Sequence, residues 1–246
     1  MIHRQAHHTT PFAQTTSPKR LGLFGGSFNP IHNGHLAIAR DVRARMNLAR
    51  ILFIPTGDPP HKQNRSLAPA PLRHEMVRLA IADTSEFAVS TIEIDRTGKS
   101  YSIDTVREIR AQYSQPWEIF FIIGLDAFLD FPTWRNPEAI LNICHVVVVP
   151  RPGQVFRALA DLPLCPNLDP ESLAQLDAGA IERFEIALPD ALAVTCLSIS
   201  PCPISASEIR RRIRSGLPLA NMLPPSVESY ILQHSLYQED SNRTRI

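Results

Sequence analysis

The chain has 246 residues, 44% of them apolar and 20% charged, which lets a single domain bury a substantial core without staples. A formal charge of +1 gives no bulk attraction to nucleic acid or to an anionic membrane, and no apolar run approaches the length of a span. Four scattered cysteines (Cys144, Cys165, Cys196 and Cys202) form no C-x-x-C pair, which disfavours zinc and suits a reducing cytoplasm.

Residues 1–18 are polar, carry His3, His7 and His8, and lack the apolar centre of a secretory signal. They read as a disordered tail before a domain covering 19–238. That domain opens on Leu21-Gly22-Leu23-Phe24-Gly25-Gly26, an apolar run ending in two glycines. Then come Ser27-Phe28-Asn29-Pro30-Ile31-His32-Asn33-Gly34-His35 and an amphipathic pattern through Ile38, Val42 and Met46. The order predicts strand, tight turn and helix. Paired glycines admit close backbone approach to a ligand, and a helix start near Gly34 offers free N–H groups and partial positive charge. His32 and His35, three apart, share one face of that start. Together they make a phosphate site with two imidazoles aimed at it. A dinucleotide fingerprint fits worse, because G-x-G-x-x-G is absent and Pro30 interrupts where its helix should begin.

Ile51–Ile54 is a second short strand, followed by a proline-rich cationic loop holding His61, Lys62 and Arg65. Read alone the loop is a solvated connector, yet it follows a strand's carboxyl end, where open α/β sheets bind ligands. Pro71 starts a helix with Leu72, Met76, Leu79 and Ala80 on one stripe. Phe87–Ile94 reads as the third strand. Arg96 to Thr105 then forms a turn entering a helix with Ile103, Val106, Ile109 and Tyr113, with Ser102 as its N-cap. Trp117–Ile123 is a buried central strand ending in Gly124-Leu125-Asp126, a carboxylate at the sheet's carboxyl edge. Trp134 lies in a short polar stretch, Asn136-Pro137-Glu138 starts another helix, and His145–Val149 is a fifth strand.

Residues 154–192 are broken by prolines and offer a helix near 173–184, an insertion-like segment, before a further strand at Ala191–Ile199. Ser205 and Glu208 stand in capping-box spacing ahead of Ile209, Arg210 and Ile213, and Gly216 marks the C′ position. The arginines of this helix read either as a solvated face or, with Ser205 and Ser207, as a second phosphate-facing helix start. A closing helix begins at Pro225. The alternation predicts an α/β fold: a Rossmann-like parallel sheet with helices on both faces and a small C-terminal helical part.

Several motifs appear in order: Gly25-Gly26-Ser27-Phe28-Asn29-Pro30 with His32 and His35, Pro59-Pro60-His61-Lys62, Ser100 to Thr105, Gly124-Leu125-Asp126 with Trp134, Arg151-Pro152-Gly153, and Ile204-Ser205 through Ile209-Arg210. Over residues 20–237 this set resembles the bacterial nicotinate-nucleotide adenylyltransferases of the nucleotidyltransferase superfamily. The resemblance implies ATP and nicotinate mononucleotide as substrates, deamido-NAD and pyrophosphate as products, and Mg²⁺ carried by ATP, with no metal ligands from protein side chains. It implies catalytic roles for His32, His35 and Arg210, and phosphate binding by Gly25, Gly26, Ser27, Phe28, Lys62, Ser205 and Ser207. Ser102, Asp126 and Trp134 match its mononucleotide pocket. The chain departs from the family pattern at Asn29, Ser102 and Ala206, and of these Ala206 alone lacks a polar oxygen. Rival readings are a nicotinamide-nucleotide, pantetheine-phosphate or cytidylyl transferase of the same superfamily, or a nucleotide-binding sensor without turnover. The expected setting is cytoplasmic, with neither nucleic acid nor membrane as partner, and the oligomeric state stays open, a homo-oligomer included.

Overall fold

The structure, a computed structural model, describes residues 18–59, 67–113, 116–151, 153–189, 191–200 and 202–238. The tail expected at 1–18 lies outside these residues apart from Pro18. Seven strands form one sheet: β1 (Lys19–Gly26), β2 (Arg50–Pro55), β3 (Phe87–Val89), β4 (Trp117–Gly124), β5 (His145–Val149), β6 (Arg183–Ile186) and β7 (Val194–Leu197). Their spatial order is β3-β2-β1-β4-β5-β7-β6, parallel throughout except that β6 runs antiparallel to β7.

Side-chain alternation along these strands builds two cores. Leu21, Leu23, Leu52, Ile54, Phe121, Ile123, Val146 and Val148 face one side. Phe24, Ile51, Phe53, Phe120, Ile122, Val147 and Val149 face the other. Strands buried on both faces read as near-continuous apolar runs, which is what β4 and β5 display. The first side is covered by α3 (Ser102–Gln112), α4 (Leu125–Leu129), α5 (Pro137–Leu141) and α6 (Pro170–Asp177). The second is covered by α1 (Asn33–Arg45), α2 (Ala70–Ala80), α7 (Ala206–Arg214) and α8 (Pro225–Gln233). The C-terminal helices therefore complete one of the two cores, with Val227 and Ile231 fully buried in it.

Three local expectations need correction. The third strand stops at Val89, because Thr91 to Asp95 folds into a turn closed by Thr91 Oγ1 donating to Asp95 Oδ2 at 2.6 Å. The helix expected near 173–184 instead occupies Pro170–Asp177, capped by the Asp169 carboxylate. Gly179 then takes a left-handed φ of 69°, and the chain returns as β6, an edge strand with alternating exposure. Ser102 is the first helical residue of α3 rather than its N-cap; Tyr101 holds that position without a side-chain cap.

Register aligns the carboxyl ends of the inner strands. Gly26 lies opposite Pro55, Phe24 opposite Ile122, and Gly124 opposite Val149. After β1 the chain passes to α1 on one face, and after β4 it passes to α4 on the other. Neighbouring strands whose connections depart to opposite faces leave a crevice at their carboxyl ends. Among the described residues no helix is long and apolar enough to cross a membrane.

Candidate active site

That crevice is a cleft of about 660 Å³. Its floor is the β1 end, Gly25 to Asn29, with His32 and His35 beyond it. One rim is the start of α7, with Ser205, Ser207 and Arg210. The opposite wall carries Ser102, Asp126 and Trp134. Every site residue expected from the sequence lines this one cleft except Lys62, which lies outside the described residues.

His32 is the N-cap of α1 and His35 its third helical residue. Their rings stack, with centroids 3.7 Å apart and planes 27° from parallel. His35 Nδ1 accepts the His32 backbone N–H at 3.3 Å. A neutral imidazole that accepts at Nδ1 carries its proton on Nε2, so His35 is set as a donor at that atom. Burial drives the His32 pKa down to about 3, and the nearby Arg151 charge adds to the shift. His35 falls well below its ordinary value for the same first reason, with His32 and Arg151 contributing. Both rings are therefore neutral hydrogen-bonding groups in the free protein.

Two arginines hold the loop between β1 and α1. Arg210 Nη1 donates to the Asn29 carbonyl at 2.7 Å and Nη2 to Ser207 Oγ at 3.3 Å. Arg73, 1% exposed, donates to the carbonyls of Ser27 at 2.7 Å, Thr56 at 2.5 Å and Ala68 at 2.8 Å. The α7 start is fixed by Ser205 Oγ accepting the Glu208 N–H at 3.2 Å. The reciprocal half of the expected capping box is not made, since the Glu208 carboxylate is taken by Arg211 and Arg212.

The opposite wall is tied together by Glu93. Thr105 Oγ1 donates to it at 2.8 Å, and Arg96 donates to Thr105 Oγ1 at 2.8 Å. Burial raises the Glu93 pKa, while hydrogen bonds from Thr105, Ser100 and the Gly57 N–H pull the other way. Gly57 must be glycine here, because a Cβ would stand 2.0 Å from the Glu93 carbonyl oxygen. Gly124 is less constrained: its Cβ would meet Asp126 Oδ1 at 2.5 Å and Arg151 Nε at 2.6 Å, side-chain atoms that can move aside. Asp126 and Arg151 form an ion pair at 3.5 Å across that gap. Trp134 leans on Phe131 and Phe121, with centroids 5.2 and 6.3 Å away. The Arg135 guanidinium lies over the Tyr101 ring at 4.7 Å.

Comparisons with known proteins extend this geometry. A family model described as cytidylyltransferase-like matches residues 23–212. A probable nicotinate-nucleotide adenylyltransferase of Geobacter metallireducens is 45% identical over 90% of this chain and 99% of its own length. A probable nicotinate-nucleotide adenylyltransferase of Geotalea daltonii is 42% identical over 89% of this chain and 99% of its own. The chain belongs to the nicotinate-nucleotide adenylyltransferase family. The solved Plasmodium falciparum nicotinic acid mononucleotide adenylyltransferase complexed with NaAD shares the fold, with a TM-score of 0.61 at 16% identity over 89% of this chain and 97% of its own.

Within this adenylyltransferase, four cleft or loop residues escaped the sequence reading: Arg73, Glu93, Tyr101 and Arg135. Arg73 left a signal. It shares the buried stripe of α2 with Met76 and Val77, where a cation needs internal partners. Glu93 left none, because it was counted within a strand that ends before it. Tyr101 and Arg135 meet through a tertiary contact between α3 and the segment before α5 that no local pattern encodes.

Proposed function

We propose that this protein transfers the adenylyl group of ATP to nicotinate mononucleotide, forming nicotinate adenine dinucleotide and releasing pyrophosphate. One observation carries the reading: two helix starts, α1 with its neutral histidine pair and α7 with Ser205, Ser207 and Arg210, converge on one cleft at the sheet's carboxyl edge. Such a pair of N-termini suits two phosphate groups held side by side.

A phosphate oxygen of the mononucleotide attacks the α-phosphorus of ATP. One P–O bond forms, the bond to the β-phosphate oxygen breaks, and pyrophosphate leaves with that electron pair. The attacking group is already an anion, so the work is positioning and stabilisation of developing charge. His35 Nε2–H supplies a fixed neutral donor to a phosphate oxygen. Arg210, released from the Asn29 carbonyl, supplies charge to the departing phosphates. The backbone of Gly25 to Phe28 supplies the cradle. Lys62, outside the described residues, is a further candidate cation for the phosphates.

Mg²⁺ suits the hard oxygen donors of this cleft and supplies charge neutralisation on the triphosphate when bound. Asp126 is the exposed carboxylate on the wall, and it already faces Arg151. Glu93 is committed to Thr105. This donor set fits a metal that arrives on ATP. Free thiols at all four cysteines agree with a cytoplasmic place.

The acid form of the mononucleotide is the preferred partner. A carboxylate withdrawn from water needs donors, whereas a carboxamide turns its own N–H₂ against them, so a preference beyond about tenfold is expected. Incubation with ATP, Mg²⁺ and either mononucleotide, followed by pyrophosphate release and product identification, tests both points. Dinucleotide from nicotinate mononucleotide supports the reading. Pyrophosphate release only with pantetheine phosphate or with CTP and an alcohol phosphate overturns it.

A further inference from the structure

We propose that Cys202 is a peroxide-sensing thiol whose oxidation to a sulfenate sets one oxygen against His32 and stops adenylyl transfer. The effect on turnover rests on the function proposed above. Cys202 lies between β7 and α7 and lines a second cavity, of about 20 Å³, with His32, Gly34, Arg151 and Ile204. That volume admits a single oxygen and excludes a bulky adduct. His32 borders both this cavity and the main cleft.

Two distances place the thiol beside the ring. A Cβ on Gly34 would stand 3.0 Å from His32 Nδ1 and 3.5 Å from Cys202 Sγ, so both atoms face the space that this glycine leaves open at the start of α1. His32 is 3% exposed, and its Nδ1 is buried with no hydrogen-bond partner among the described residues. A buried ring nitrogen in that condition has its partner in another state of the protein. The remaining thiols are shielded. Cys144, Cys165 and Cys196 are buried, which pushes Cys144 up to about 12, Cys165 up to about 11 and Cys196 upward as well. Only the thiolate is a nucleophile, so these three are inert. Cys202 is half-buried, within reach of a small oxidant.

The Cys202 sulfur attacks one oxygen of hydrogen peroxide. The S–O bond forms, the O–O bond breaks, and the leaving hydroxide takes the thiol proton to become water. Sulfur gives up two electrons and the peroxide gains them. The new oxygen, ionised in the field of Arg151, accepts the His32 Nδ1–H. The ring proton is then held at Nδ1, so Nε2 turns a lone pair rather than a donor toward an arriving phosphate. The added negative charge opposes the same phosphates. Two thiols reverse the step, yielding their disulfide, water and the restored Cys202.

The test exposes the full chain to hydrogen peroxide and follows three readouts. These are the site of a dimedone adduct by mass spectrometry, the ring ¹⁵N shifts of His32, and turnover with ATP, Mg²⁺ and nicotinate mononucleotide. The expected result is an adduct on Cys202, a His32 proton fixed at Nδ1, and turnover lowered about a hundredfold until dithiothreitol restores it. Cys202→Ala keeps the parent turnover and resists peroxide. An adduct absent from Cys202, an adduct there with unchanged ring shifts and turnover, or equal peroxide sensitivity in Cys202→Ala overturns this proposal and leaves the proposed function standing. A reduced parent that adenylylates no mononucleotide overturns the proposed function, and the adduct and the ring shifts still decide the fate of the thiol.

Discussion

The rings of His32 and His35 stack 3.7 Å apart at the start of α1, and burial keeps both neutral. Charging one ring would place a cation against the other in a desolvated pocket that Arg151 already makes positive. The pair therefore acts through oriented N–H groups until a phosphate arrives with compensating charge. Ring ¹⁵N shifts of the ligand-free protein should show neutral imidazoles from pH 8 down to pH 5. A titration midpoint near 6.5 for either ring would contradict the argument.

The same burial links the pair to stability. For His32 the folded pKa is about 3 against an ordinary value of 6.5, so the unfolded chain binds the extra proton between those limits. Its contribution is intact above pH 6.5 and is lost progressively as pH falls toward 3, at up to about 1.4 kcal/mol per pH unit. Denaturant midpoints between pH 7 and pH 4.5 should decline less steeply in His32→Asn than in the parent protein.

Replacing His35 by Ala removes a preorganised donor aimed at the developing charge. Turnover should fall by on the order of a hundred- to a thousand-fold, with a smaller effect on ATP binding. Steady-state kinetics together with nucleotide titration separates the two. Near-normal turnover would reduce His35 to a turn residue.

Arg210 and Arg211 are adjacent in sequence but about 100° apart around α7. Arg210 reaches the Asn29 carbonyl, whereas Arg211 is spent on Glu208 at 2.7 Å. Arg210→Ala should reduce kcat/KM for ATP by about a hundredfold, and Arg211→Ala should leave it within a factor of about two. Equal losses would mean a generic basic face.

Arg73 holds four backbone carbonyls, Ser27 after β1, Thr56 and Gly57 after β2, and Ala68 before α2. Arg73→Ala strands those oxygens in a partly buried place, at a cost of up to about 1–3 kcal/mol for each one left unsatisfied. Urea denaturation should register a loss of several kcal/mol, and the folded fraction should bind ATP more weakly. An unchanged midpoint would show that water satisfies the carbonyls instead.

Local chemistry explains what could be read from the chain by itself. The strand, turn and helix around Gly25 to His35 follow from apolar runs, glycines and helical spacing, all of which act within a few residues. The cap at Ser205 and the C′ role of Gly216, with its φ of 63°, have the same short range. Even the two-faced burial of β4 and β5 is written in their near-continuous apolar composition. Edge strand β6 escaped for the opposite reason: with four residues and one buried side chain, its pairing to β7 outweighs any pattern of its own. The state of the site depends on neighbours far away in the sequence. Neutral histidines require burial by other elements and the Arg151 charge from beyond β5. Arg73 turns inward because β1 and β2 both end where its guanidinium can reach their carbonyls. Which arginine of α7 faces the cleft is set by Ile209 packing into the core and by a carbonyl 181 residues away, since desolvation and hydrogen-bond geometry exist only once distant segments have met.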